Sequence, residues 1–419
     1  MMNNSVNQDY IKKVNKAKIL NILRKEPSVS RQELAKLTGL TPAAITGIVR
    51  NLAEANLIEE VGLGQSSGGR RPVKLQFNPK AGYVVGAEIT RRKTTLGVVD
   101  LQANPAEVKE IIIEMCDPIN GIGKMALEIK KLVEELQIPE EQIMGYGFAF
   151  PGLLDVNTKI IKHSPNLGEA WRNVPVKDIL INHFGPMLFV EHNSNAAAIA
   201  EYVIQRKSRV KDLVYVNLGE GFSAGVIIKG ELLYGYGGHA GEMGHMVIAE
   251  NGQLCNCGNK GCLESMYAVP AIVRKANMEL NICGDSDPLK QIWKEKGEVD
   301  IKDILLCSSA VETYAGQLIK QAGWHIGIGI ANIINFYNPK MVCLGGILTK
   351  AGPVLFEPLI KSVNRHAFPD LVQNTSIELS SLGQQAGFYG ACLGAIENVF
   401  SIDRIEILEH SSKFIGSSI

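Results

Sequence analysis

Gly241-Glu242-Met243-Gly244-His245 and Cys255-Asn256-Cys257-Gly258-Asn259-Lys260-Gly261-Cys262-Leu263-Glu264 set one His and three Cys within residues 245–262. Three thiolates and one imidazole complete a tetrahedral zinc shell and leave no position for water, so the predicted site is structural. Its ligands are His245, Cys255, Cys257 and Cys262. The alternative is buried free thiols, but Cys clustered among Gly and Asn have no apolar neighbours to pack against. The other Cys (116, 283, 307, 343 and 392) are scattered through apolar stretches and read as buried thiols. Glu242 stands three residues before the His and Glu264 two after the last Cys. The metal would hold both carboxylates in fixed geometry, which suits grasping a polyol.

Outward from this run, 419 residues predict about three domains at roughly 150 residues each. With 46% apolar and 21% charged residues, the composition is that of a globular protein. No run of about eighteen apolar residues occurs, which predicts no membrane span. Met1–Tyr10 is polar and reads as no secretory signal. A thiolate cluster with scattered thiols predicts a cytoplasmic protein. The zero net charge hides an asymmetry: residues 1–80 hold 13 Lys/Arg against 6 Asp/Glu, and the remainder is acidic by the same margin. A basic head on an acidic body points to a polyanion partner for the head alone.

Residues 1–80 predict a winged helix-turn-helix. Asp9–Lys25 has helical spacing at Ile11, Val14, Ile19, Ile22 and Leu23. Ser30-Arg31-Gln32-Glu33 is a capping box opening a short helix that Gly39 ends. Thr41-Pro42 is an N-cap followed by Pro at the first helical position. The helix it opens buries Ile45, Ile48, Val49 and Leu52 and turns Pro42, Ala43, Thr46, Gly47 and Arg50 outward. Small side chains there bring the backbone close to a major-groove floor, and Arg50 reaches a guanine edge or a phosphate. Leu57–Val61 and Val73–Phe77 alternate as strands around Gly62–Pro72, a wing whose Arg70 and Arg71 suit a narrow minor groove. The predicted DNA contacts are Arg31, Thr41, Pro42, Ala43, Thr46, Gly47, Arg50, Gly69, Arg70 and Arg71. A small protein-interaction bundle is the competing reading.

Residues 81–400 predict an α/β body. Strands at Val84–Ile89, Thr95–Asp100, Ile111–Met115 and Met144–Phe150, with a helix over Ile122–Leu136, precede a second β-rich opening at Leu213–Asn217, Ser223–Ile228 and Glu231–Leu233. A helix over Val311–Phe336 and a strand at Met341–Leu344 follow. The repeat predicts two lobes, 81–190 and 191–400, with a cleft between them, and 401–419 as a surface tail.

The 241–264 run, with Phe148-Ala149-Phe150-Pro151-Gly152 and Ser164-Pro165-Asn166-Leu167, resembles the ROK family of repressors and sugar kinases over roughly residues 10–400. The head, with Gln65-Ser66-Ser67-Gly68-Gly69-Arg70-Arg71-Pro72, is similar to that of the family's repressors. The resemblance implies a two-lobed actin-like ATPase body. It also implies sugar contacts at Asn166, Asn193, Glu242, His245 and Glu264.

The phosphoryl-transfer positions depart from the kinase pattern. Where the kinases have Asp-x-Gly-Gly-Thr-Lys, this chain has Glu88-Ile89-Thr90-Arg91-Arg92-Lys93, and no glycine lets the backbone approach a phosphate. Where they carry Glu-Asn-Asp-Ala-Asn, it has Glu191-His192-Asn193-Ser194-Asn195, and an amide at Asn193 cannot accept the sugar proton. Where they have Leu-Gly-Thr-Gly, it has Leu218-Gly219-Glu220-Gly221, placing a carboxylate against ATP. The expectation is no enzyme: a sugar-responsive repressor of carbohydrate-utilisation genes, binding operator DNA as a homodimer or dimer of dimers. Its effector is a xylose- or glucose-like aldose. The alternatives are an active kinase with an added head, or a repressor with a relic pocket governed by a protein partner.

Overall fold

The computed structural model describes residues 3–63, 71–205 and 210–402. The head comprises α1 (Asn3–Lys25), β1 (Val29–Ser30), α2 (Arg31–Thr38), α3 (Pro42–Glu54), β2 (Ile58–Leu63) and β3 (Val73–Phe77). Its local signals act as their chemistry dictates. Ser30 Oγ accepts from Glu33 N–H and the Glu33 carboxylate accepts from Ser30 N–H. Such a cap contributes about 1 kcal/mol. Gly39 ends α2 at φ 75°, where a side chain is strained. Thr41 caps α3, which buries Ile45, Val49 and Leu52 and leaves Ile48 half-buried. α1 begins earlier than its periodicity suggests, and Ala17, Ile19, Leu20 and Leu23 form its core face while Ile11 lies exposed. The strands pair in the order β1-β3-β2. Gly69 and Arg70 lie outside the described residues.

The first lobe holds β4 (Tyr83–Ile89), β5 (Thr94–Asp100), β6 (Pro105–Ile111), α4 (Pro118–Glu135), β7 (Ile143–Phe150), the short strands β8 (Leu153–Leu154), β9 (Ile161–His163) and β10 (Arg172–Val174), α5 (Val176–Phe184) and β11 (Leu188–His192). α6 (Asn193–Gln205) leads to β12 (Leu213–Leu218), β13 (Phe222–Ile228) and β14 (Glu231–Leu232) of the second lobe. There follow α7 (Leu263–Tyr267), α8 (Val269–Glu279), α9 (Pro288–Lys296), α10 (Ile301–Cys307), α11 (Tyr314–Tyr337), β15 (Met341–Gly345), α12 (Pro353–His366), α13 (Pro369–Asn374), β16 (Ser376–Leu379) and α14 (Ala386–Val399).

Both lobes repeat one topology. The first sheet runs β6-β5-β4-β7-β11 and the second β14-β13-β12-β15-β16. In each, an antiparallel three-strand meander continues into two parallel strands. The parallel crossovers put helices over the sheets and the strand ends toward the cleft, where α/β folds bind ligands.

Three expectations need correction. The strand expected at Ile111–Met115 lies at Pro105–Ile111. Asp100 Oδ1 accepts from Gln102 N–H and Asn104 N–H, so the chain turns at once and pairs with β5 from Pro105 onward. The apolar run instead leaves the sheet: Ile112 is exposed, and the Met115 carbonyl accepts the indole N–H of Trp171. Second, the lobe expected to span 191–400 loses its last helix to the first lobe, because α14 packs on β4, β7 and β11. Third, Cys116 is exposed and Cys283 half-buried, whereas Cys307, Cys343 and Cys392 are buried.

α14 and α6 cross between the lobes. α6 packs on β12 and β13 of the second sheet, so the crossing joins the two halves. Gly390 permits it: a Cβ there would overlap the Ala196 carbonyl. Among the described residues, no helix is long and apolar enough to cross a membrane.

Candidate functional site

The exposed face of the head is the first candidate. Thr41, Pro42, Ala43, Thr46 and Arg50 are exposed along α3, with Gly47 half-buried, so the expected outward face is the one presented. Thr46 Oγ1 donates to the Pro42 carbonyl at 2.8 Å, tying that hydroxyl to its own helix. Arg50 lies 3.8 Å from Glu54 one turn on, a loose exposed pair that frees easily. Arg31 does not project freely: its guanidinium meets Glu60 of β2 at 2.9 Å. Arg71 is exposed at the base of the wing. Lys74 joins Glu33 at 2.7 Å, and this hydrogen bond, with those from Ser30, holds the Glu33 carboxyl down at about 2.

The four side chains expected to hold a metal converge. The donor atoms of His245, Cys255, Cys257 and Cys262 all lie within 4.8 Å of one another. His245 Nδ1 is 3.5 Å from Cys255 Sγ, and Cys257 Sγ is 3.6 Å from Cys262 Sγ. A tetrahedral shell with bonds of about 2.0–2.3 Å sets its donors about 3.3–3.8 Å apart, and the His245–Cys255 and Cys257–Cys262 separations lie in that range. Burial pushes the Cys262 thiol up to about 12 and raises that of Cys255. Thiolates at this cluster therefore call for a coordinated cation. The backbone closes the loop too: Cys255 N–H donates to the Asn259 carbonyl, and Leu263 N–H to that of Met246.

The cleft residues hang from this loop. With Nδ1 toward the thiols, His245 turns Nε2 toward Glu242 Oε2 at 3.7 Å. Burial raises the Glu242 carboxyl, with Glu264 adding like charge, so the two carboxylates share one neighbourhood. Glu264 Oε2 accepts from Phe222 N–H at 2.9 Å. A Cβ on Gly221 would stand 2.7 Å from that oxygen and 3.5 Å from the Asn166 amide nitrogen, so Asn166 and Glu264 converge over this glycine. Asn193 begins α6 and donates Nδ2 to the Ile89 carbonyl at 2.8 Å, leaving its buried Oδ1 without a partner.

Further unpaired buried polar atoms come from the same segments: His163 Nε2, Ser164 Oγ, Asn195 Oδ1, Glu220 Oε2 and His239 Nδ1. Buried polar groups demand partners, and this set invites a polyhydroxylated ligand. His239 stands close enough to His192 to interact with it electrostatically. Two contacts between the lobes had no sequence signal. Tyr234 OH donates to Glu191 Oε2 at 2.9 Å, and Arg92 Nε meets Glu220 Oε1 at 2.8 Å.

The pattern of the ROK family matches residues 84–397, and that of winged helix-turn-helix DNA-binding domains matches residues 15–59. The xylose repressor of Bacillus spizizenii is 30% identical over 409 residues, covering 94% of this chain and 98% of its own. The DNA-binding transcriptional dual regulator NagC of Escherichia coli K12 is 28% identical over 390 residues, covering 91% and 92%. The crystal structure of a ROK family transcriptional regulator, a homologue of the E. coli MLC protein, superposes with a TM-score of 0.80 at 26% identity, covering 96% and 100%. A winged helix-turn-helix joined to an actin-like kinase-fold body, matched over most of its length, places this chain in the ROK family.

Proposed function

We propose that this chain is a sugar-responsive transcriptional repressor of carbohydrate-utilisation genes whose body binds an aldose and transfers no phosphate. The observation that carries the reading is the cleft itself. Asn166 and Glu264 converge over Gly221, Glu264 lies close enough to Glu242 to raise its carboxyl, and Asn193 leaves a buried oxygen unpaired, while Arg92 and Glu220 pair at the turns between β4 and β5 and between β12 and β13. Carboxylates accept hydrogen bonds from vicinal hydroxyls, and amides donate and accept. Asn193 can hold a sugar hydroxyl but cannot take its proton. A zinc ion held by His245, Cys255, Cys257 and Cys262 supplies a closed anchor that fixes the 241–264 loop. His245 then orients Glu242 through its other ring nitrogen.

Several relatives are named for xylose and others for N-acetylglucosamine, and the effector read here is a xylose- or glucose-like aldose. On the DNA side, α3 enters a major groove and Arg71 leads the wing to the minor groove. Two-fold operators call for a homodimer or a dimer of dimers, in the cytoplasm. The test is a thermal-shift screen of the full chain against D-xylose, D-glucose, N-acetyl-D-glucosamine, their phosphates and ATP. A shift with one aldose and none with ATP is expected, because ligand binding to the native state raises the midpoint. A shift with ATP and sugar-dependent hydrolysis would favour a kinase.

A further inference from the structure

The cleft and the head are joined by an unbroken run of contacts through α14. It starts at Asn193, whose amide donates to the Ile89 carbonyl at the end of β4. The preceding residue, Glu88, accepts from Phe388 N–H in the first turn of α14 at 3.1 Å. That end of the helix is pressed on the carboxylate, since a Cβ on Gly387 would overlap Glu88. The middle of α14 lies against α6 at Gly390 and Ala196, and against β7 at Ala391 and Gly147. The far end stays on the body, where Asn398 Nδ2 donates to the Leu188 carbonyl and Val399 lies against Gly145, and it also meets the head. Phe400, just past the last turn and 2% exposed, meets Phe77 edge-on at 5.8 Å. Arg24 of α1 lies over the Phe400 ring at 4.1 Å and reaches Glu397 at 3.3 Å. Ala395, Ile396, Val399 and Phe400 share one buried cluster with Leu20, Leu23 and Phe77 of the head.

We infer that α14 is the lever by which the cleft sets the position of the DNA-binding head, with the Phe400–Arg24–Phe77 contact as its output. Its 14 residues span about 21 Å. Movement of the second lobe passes through α6, which packs on that sheet, into α14 at a backbone-to-backbone crossing. Only the small side chains of Ala196 and Ala391 pack there with Ala149, and close-packed interfaces shift between discrete arrangements more readily than they deform. The helix then carries Phe400 and Glu397 with it, and the head follows because Phe400 is buried in the cluster it shares with Leu20, Leu23 and Phe77 and Glu397 pairs with Arg24.

The inference rests on the sugar reading above, so its test separates the two. Full-length wild type, Arg24→Ala and Phe400→Ala are titrated with D-xylose, D-glucose and N-acetyl-D-glucosamine by calorimetry. Each is also titrated with a DNA duplex selected from a random library by the wild-type chain, with and without saturating sugar. In wild type, sugar is expected to change DNA affinity by about 5–150-fold. Both variants keep the sugar Kd within about twofold, and Arg24→Ala keeps sugar-free DNA affinity, while the sugar effect shrinks at least about threefold. Variants that respond as wild type does overturn the lever.

If none of these sugars binds wild type, the sugar reading fails and the lever is read without ligand. Asn193→Ala then alters hydrogen exchange at 17–24 and 73–77, and Phe400→Ala abolishes that change. Head exchange indifferent to Asn193→Ala overturns the lever instead.

Discussion

Arg92, in the turn after β4, and Glu220, in the turn after β12, meet at 2.8 Å between the two lobes. These turns stand where the resemblance to sugar kinases places the nucleotide phosphates. One positive and one negative side chain meet there, and Glu220 keeps its other oxygen buried and unpaired. Arg92 is half exposed, so the pair contributes about 0.2–1 kcal/mol. Arg92→Glu or Glu220→Arg alone is expected to weaken sugar binding by a few-fold, and the double reversal to restore it, read by calorimetry. Additive losses in the double variant would mean that the pair does not tie the lobes.

Removing one thiolate should open the metal loop. Cys257 is the exposed member of the cluster, so Cys257→Ser costs little packing. Zinc content, measured by atomic emission, is expected to fall from about one per chain to near zero. Sugar affinity should fall with it, because Glu242 and Glu264 flank the loop. Full zinc stoichiometry in the variant would remove Cys257 from the ligand set.

On the DNA face the arginines divide by their surroundings. Arg71 is exposed and pairs with no acidic side chain among the described residues, so Arg71→Ala should weaken binding to all sequences and lower the salt slope by about one ion. Arg31 is paired with Glu60, so Arg31→Ala is expected to have a smaller effect on affinity than Arg71→Ala. Binding isotherms at several salt concentrations read both, and equal slopes for Arg71→Ala and wild type would keep the wing out of the groove.

What the sequence made legible was local. The Ser30–Glu33 capping box, the Gly39 stop and the cluster from His245 to Cys262 are defined by neighbours a few positions apart; the box and the stop form as their spacing indicates, and the four donor side chains of the cluster come together. β6 was misplaced because an edge strand is held by its turn, and the Asp100 turn brings the chain back before the apolar residues begin. The return of α14 to the first lobe was out of reach for another reason. Glu88 and Phe388 are 300 positions apart, and no composition or period in one chain pairs them. Tyr234 on Glu191 and Arg92 on Glu220 were hidden in the same way.

Glu88 gives that long-range contact a pH signature. Burial pushes its carboxyl up to about 7, against the lowering effect of the hydrogen bond from Phe388 and the charge of Lys93; the charge of Glu110 adds to the rise. The folded chain therefore holds a proton on Glu88 between about 4.5 and 7 that the unfolded chain has released. Stability from this group is complete below about 4.5 and is lost as pH rises through about 7. Glu88→Gln keeps an oxygen for Phe388 N–H and removes the titration. Its thermal midpoint should match wild type near pH 5 and exceed it by about 2–4 °C at pH 8. Groups that titrate in both proteins cancel in the difference. Parallel midpoint curves across this range would mean that Glu88 is charged throughout, and that α14 begins on a carboxylate rather than on a neutral acid.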